Sequence, residues 1–167
     1  MNIDKIISHC RDRDYMSGLE RSDARVKATQ EVFTPTALVQ TILDELPQDF
    51  FADPNQKCID NSCGDGQFLS EVLIRKIENG STFEQALSTV YGVDLMPDNV
   101  KLCQDRLLCG QEHLRHIVEK NIVCADGLKY HYRFDGTPCD PEPKPKTKVS
   151  KKNPVDLPEH LWETKTD

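Results

Sequence analysis

The sequence predicts an α/β domain built around a parallel sheet, on three observations. Short apolar runs reach a carboxylate at three places, Ile59-Asp60, Val93-Asp94 and Cys124-Ala125-Asp126. Segments with apolar residues at three- and four-residue spacing separate these runs, as amphipathic helices require. A glycine turn, Gly64-Asp65-Gly66, joins the first run to the helical segment behind it. Strand, helix, strand, helix, strand is the pattern of a parallel sheet with right-handed crossovers.

The elements are justified in order. Ile3, Ile6, Ile7 and Cys10 share one helical face, so residues 1–12 read as a short amphipathic helix. The densely charged stretch 11–31 carries no clear period. Thr34-Pro35 starts the next helix, Thr as cap and Pro in the first turn. Leu38, Val39, Ile42, Leu43 and Leu46 form its stripe and Pro47 ends it. Residues 57–60 are the first strand. Phe68, Leu69, Val72, Leu73 and Ile77 make another stripe, broken at Asn79-Gly80. Ser81-Thr82-Phe83-Glu84 fits a capping box. Residues 89–93 are the second strand, leading to Asp94. Pro97 opens a helix with Val100, Cys103, Leu107 and Leu108; a short helix follows near 114–118, and 122–124 is the third strand.

Composition narrows the class. The 167 residues suit one domain with a real core. A net charge of -7 and a pI near 5.2 do not favour a polyanion on the surface as a whole. Seven scattered cysteines with no CxxC pair argue for reduced thiols rather than disulfides or zinc. With no signal peptide and no long apolar run, a cytoplasmic protein away from membranes is expected. Three parts are expected: a helical segment over 1–28, a ligand-binding domain over 29–135, and a tail over 136–167. That tail is rich in Pro and Lys and reads as flexible.

A glycine turn between a strand and a helix lets a ligand approach backbone N–H groups. Here no third Gly follows, no phosphate-binding Lys is present, and Asp60 and Asp65 flank the turn. Two carboxylates repel phosphate and welcome a cation, so a ligand with an amine and a positive sulfonium suits the turn better. Asp94, 34 residues after Asp60, stands where an acid can accept the hydroxyls of a ribose. Asp126 could accept from an adenine amino group. Each acid could instead be a helix cap, and the glycines could serve only the turn.

In these residues the chain resembles the cofactor-binding part of the N6-adenine DNA methyltransferases of restriction–modification systems. Thr29-Gln30-Glu31-Val32-Phe33-Thr34-Pro35 looks like that family's VFTP motif. "IDNSCGDGQFL" is similar to its DPACGSGxFL loop, "VYGVDLMPDNVKLCQDRL" to its second motif and "NIVCADGL" to its third. The matches run in order over about residues 29–128. The resemblance implies a Rossmann-like methyltransferase fold with a truncated parallel sheet and helices on both faces. It also implies S-adenosylmethionine (SAM) as cofactor, held by Phe33, Thr34, Asp60, Cys63, Gly64, Gly66, Phe68, Asp94 and Asp126. DNA would be the substrate, methylated on an adenine amine.

The family's catalytic tetrad, Asn/Asp-Pro-Pro-Tyr/Phe, is not found. Asp140-Pro141-Glu142-Pro143 falls where it belongs but lacks the second Pro and the aromatic, and Asn153-Pro154-Val155-Asp156 is a fainter echo. Asp140 and, more remotely, Asn153 are the catalytic candidates. Phe134-Asp135 resembles the family's entry to the strand before the tetrad. A module that binds SAM without catalysis, or one completed by a partner subunit, is the alternative.

Overall fold

The computed structural model describes residues 2–12 and 34–135. Residues 13–33, with Phe33, and 136–167, with Asp140 and Asn153, lie outside the described residues, as does the expected flexible tail.

Helix α1 (Ile3–Asp12) buries Ile6 and Cys10, the face its spacing predicts. Helix α2 (Thr36–Asp44) leads through a 3-10 turn (Gln48–Phe51) to strand β1 (Cys58–Asp60). Helix α3 (Gln67–Glu78) and the short α4 (Phe83–Ser88) cross to β2 (Val90–Asp94). Helix α5 (Pro97–Leu108), a 3-10 turn (Glu112–Leu114) and α6 (Arg115–Asn121) cross to β3 (Ile122–Cys124). The strands run parallel in the order β1-β2-β3, with Asp60 beside Gly92 and Asp94 beside Cys124. Among the described residues, no helix is long and apolar enough to cross a membrane.

Register and alternation sort the side chains. Val90, Gly92 and Ile122 share one sheet face, packed by Leu69, Val72 and Leu73 of α3 and Cys103 and Leu107 of α5. Helices α3 and α5 also touch one another, so both crossovers lie on that face. A strand order that advances one way with crossovers of one hand leaves no other arrangement. The second face carries Ile59, Tyr91 and Val123. What meets it is aromatic: the Phe134 ring lies 4.8 Å from that of Tyr91 and 5.2 Å from that of Tyr130. The helices expected on both faces are thus one helical face and one aromatic face among the described residues.

Several local expectations shift for physical reasons. Thr34 does not cap α2: the helix begins at Thr36, with Pro35 as N-cap and no side-chain cap bond. The capping box is formed by Thr82 and Gln85, one residue later than the Ser81–Glu84 spacing suggests. Of the α2 stripe only Val39 and Leu43 are buried, while Leu38, Ile42 and Leu46 stay exposed. Phe134 does not enter a strand. It has a φ of 50°, and Tyr132 has 54°, left-handed conformations that cost an aromatic residue about 1–3 kcal/mol each. Stacking among Tyr91, Tyr130, Tyr132 and Phe134 holds them there.

Candidate functional site

The turn after β1 is built by backbone geometry only glycine adopts freely. Gly64 has φ 52° and Gly66 φ 85°, and Gly66 is the N-cap of α3. Space is equally strict, since a Cβ on Gly66 would lie 2.7 Å from Cys103 Sγ. The turn is tied down from both sides. Cys63 N donates to Val93 O at 3.0 Å, and Gly66 N to Cys63 O at 2.8 Å.

Asp94 is the central acceptor. Its Oδ2 accepts from Gly64 N at 2.9 Å, and its Oδ1 from Met96 N at 2.9 Å and Asn99 Nδ2 at 3.3 Å. Asp94 does not cap α5, whose N-cap is Met96 with no side-chain cap bond; its carboxylate instead closes a local turn at Met96 N and anchors the glycine turn. Each carboxylate oxygen has two lone pairs, so acceptor capacity remains at Oδ2.

Asp60 ends the neighbouring strand. Its Oδ1 accepts from Ser62 N at 3.0 Å. Burial raises its pKa, the Ser62 N–H opposes that, and the Asp94 carboxylate raises it further. Among the described residues, no salt bridge reaches Asp60 or Asp94. Two acids thus end adjacent parallel strands beside a two-glycine turn, Asp60 bonded to Ser62 N and Asp94 to Gly64 N, at the sheet edge where open α/β folds hold ligands.

Asp65 corrects the expectation that both Asp60 and Asp65 offer a carboxylate to a cationic ligand at the turn. It is 1% exposed and paired with Arg106, itself fully buried, at 3.2 Å. Arg106 also donates to Cys10 O at 3.0 and 2.6 Å and to Gln67 Oε1 at 2.7 Å. One guanidinium therefore joins α1, the glycine turn and the start of α3 from beneath. Sequence periodicity marks Arg106 only as one more residue of α5, and no local signal gives its role.

The remaining residues divide. Cys63 is buried with its Sγ towards Gly92 and Cys103, so only its backbone borders the crevice. Asp126 lies after β3, but its Oδ1 takes Leu128 N at 3.0 Å and its Oδ2 the Lys129 ammonium at 2.6 Å. Thr34 is half-buried, and its segment does reach the turn, because Thr36 Oγ1 accepts from Gln67 Nε2 at 2.7 Å. Phe68 packs partly on the core and, with Leu43, Phe50, Ile59, Asp60 and Asn61, lines a groove of about 440 Å³ beside β1. That groove meets the acid pair only at Asp60. Gly127 passes so close to the turn after β1 that a Cβ there would lie 2.5 Å from Asn61 O.

Asp60, Gly64, Gly66 and Asp94 are brought together, with Cys63 contributing backbone. Asp126, next to Gly127 at the edge of the same turn, carries an ion pair with Lys129. No group of three or more His, Cys, Asp or Glu among the described residues is arranged to hold a metal ion. No family model, no curated protein and no solved structure matches this chain.

Proposed function

We propose that the chain binds SAM at the crevice between β1 and β2, and that it belongs with the Rossmann-like methyltransferases that act on the adenine amine of DNA. One observation carries this reading: Asp60 and Asp94 face a glycine turn and, among the described residues, no cation neutralises them. A sulfonium and an α-amine complement that charge, and Asp94 Oδ2 retains a lone pair for a ribose hydroxyl. Bound SAM supplies the methyl group. The chain's own contribution is to orient it: the glycine turn leaves no side chain at Gly64 and Gly66 between ligand and backbone, and the two carboxylates would hold the positive and hydroxyl-bearing parts.

A second reading is a SAM-binding module without catalysis, or one completed by a partner subunit. The incomplete tetrad around Asp140 and Asn153 favours it, because no residue of either echo replaces the aromatic that would stack on a flipped base. The two readings share their first test. Calorimetry with SAM and its demethylated product should give saturable heat, weakened at least tenfold by Asp60→Asn; no heat at millimolar ligand sinks both. Labelled methyl transfer to unmethylated DNA then separates them. Turnover lost in Asp140→Ala supports the enzyme, and binding without turnover supports the module.

A further inference from the structure

Two thiols that the proposed site does not use meet where α1 packs against the end of α5. Cys10 Sγ lies 3.7 Å from Cys109 Sγ although the residues are 99 apart in the chain. Both sulfurs approach one acceptor, Arg106 O, at 3.8 and 3.3 Å. With Ile6 and Ile74 they form a small core cluster of their own. Cys109 stands beyond the last residue of α5 in a left-handed conformation, φ 47°, followed by Gly110 at φ 73°. This pair of residues, past the regular helix, can turn to bring the sulfurs from contact to the roughly 2.05 Å of a disulfide.

The two thiols are unequal, which favours a directed reaction. The hydrogen bond from Cys109 holds the Cys10 thiol below its ordinary pKa; burial opposes that, and the Arg106 guanidinium adds to it. The same bond, together with burial, pushes Cys109 up. Thiolate character is what makes a cysteine nucleophilic. Cys109 keeps 8% of its surface exposed and Cys10 none, so a small oxidant enters from the Cys109 side.

We propose that Cys10 and Cys109 are an oxidisable pair that forms a reversible disulfide with peroxide, stapling α1 to the end of α5. The Cys10 thiolate attacks the O–O bond of hydrogen peroxide, and the sulfur is oxidised by two electrons to the sulfenic acid. The released hydroxide takes a proton and leaves as water. Cys109 sulfur then attacks the sulfenic sulfur, the S–S bond forms as the S–O bond breaks, and hydroxide departs with the Cys109 proton as a second water. Two thiols and one peroxide become one disulfide and two waters. A dithiol reverses the link by exchange. Because Arg106 donates to Cys10 O, the staple also holds α1 over the guanidinium that supports the glycine turn.

The test is a peptide map of the intact wild-type chain treated with hydrogen peroxide, alkylated and digested with trypsin without reduction. The expected product joins residues 6–11 to residues 107–115, lighter than the sum by two hydrogens and lost on adding dithiothreitol. In Cys109→Ser the sulfenic acid has no partner, so dimedone should label Cys10. Recovery of Cys10 and Cys109 as alkylated thiols, or oxidation that instead links Cys63, Cys103 or Cys124, overturns the proposal. Dimedone labelling of other cysteines but not of Cys10 overturns the assignment of Cys10 as the nucleophile.

Discussion

The backbone N–H of Gly64 donates to Asp94 Oδ2 at 2.9 Å, so the turn after β1 is held by the residue that ends β2. A single carboxylate therefore sets the shape of a loop 30 residues away. Asp94→Asn leaves one acceptor oxygen where Gly64 and Met96 each present an N–H. One of those donors then loses its partner, a cost of about 1–3 kcal/mol. Urea unfolding should show that loss of stability. An unchanged midpoint would mean that the turn keeps its shape without Asp94.

Asp60→Asn should act in the opposite sense. The folded pKa of Asp60 is raised above the ordinary value of 3.8, mainly by burial. A raised carboxyl contributes stability below the unfolded value, and that contribution disappears as pH rises through the folded value. At neutral pH the ionised Asp60 is therefore a burden. Asn still accepts from Ser62 N and removes the charge. The variant should be as stable as the wild type or more so at about pH 7, the difference narrowing towards about pH 4. If SAM binding falls in the same variant, Asp60 is retained for its ligand at the expense of stability. Parallel urea curves across that range check the sign.

Arg106→Met strands the Asp65 carboxylate in the core, and breaking one partner of a buried pair costs about 3–5 kcal/mol. Adding Asp65→Asn removes the stranded charge, so the double variant should recover part of the loss. Denaturation of the singles and the double measures the coupling. Additive losses would mean that the two side chains act independently.

Gly66→Ala meets two obstacles. A φ of 85° costs a non-glycine residue about 1–3 kcal/mol. The new Cβ also lies 2.7 Å from Cys103 Sγ, an overpacking that typically costs another ~1–3 kcal/mol. Cys103→Ala relieves only the second. The double variant should therefore unfold between Gly66→Ala and the wild type in thermal melts, and full recovery would show that backbone strain is negligible there.

Much of the fold was legible in the sequence because strands and helices announce themselves by local period. Three strands stand within a residue or so of their expected positions, and each leads to its carboxylate. Pro97 opens α5 as expected, since a fixed φ and a missing N–H are properties of one residue. The glycine turn was equally plain, because glycine adopts the left-handed backbone it needs without the cost other residues carry. What lay beyond sequence reading depends on partners distant in the chain. Asp65 looked like a twin of Asp60, yet positive φ at Gly64 and Gly66 turns the segment between them so that Asp65 meets Arg106, 41 residues on. Asp126 stands after β3 as expected, and its pairing with Lys129 is a contact the spacing alone does not announce. Sequence by itself determined which residues stand at the strand ends; only the tertiary structure decided that Asp65 is spent on an internal ion pair while Asp60 and Asp94 border the turn. The reason is that a side chain's position along a strand is set by neighbours within a few residues, whereas the charge it meets is set by packing.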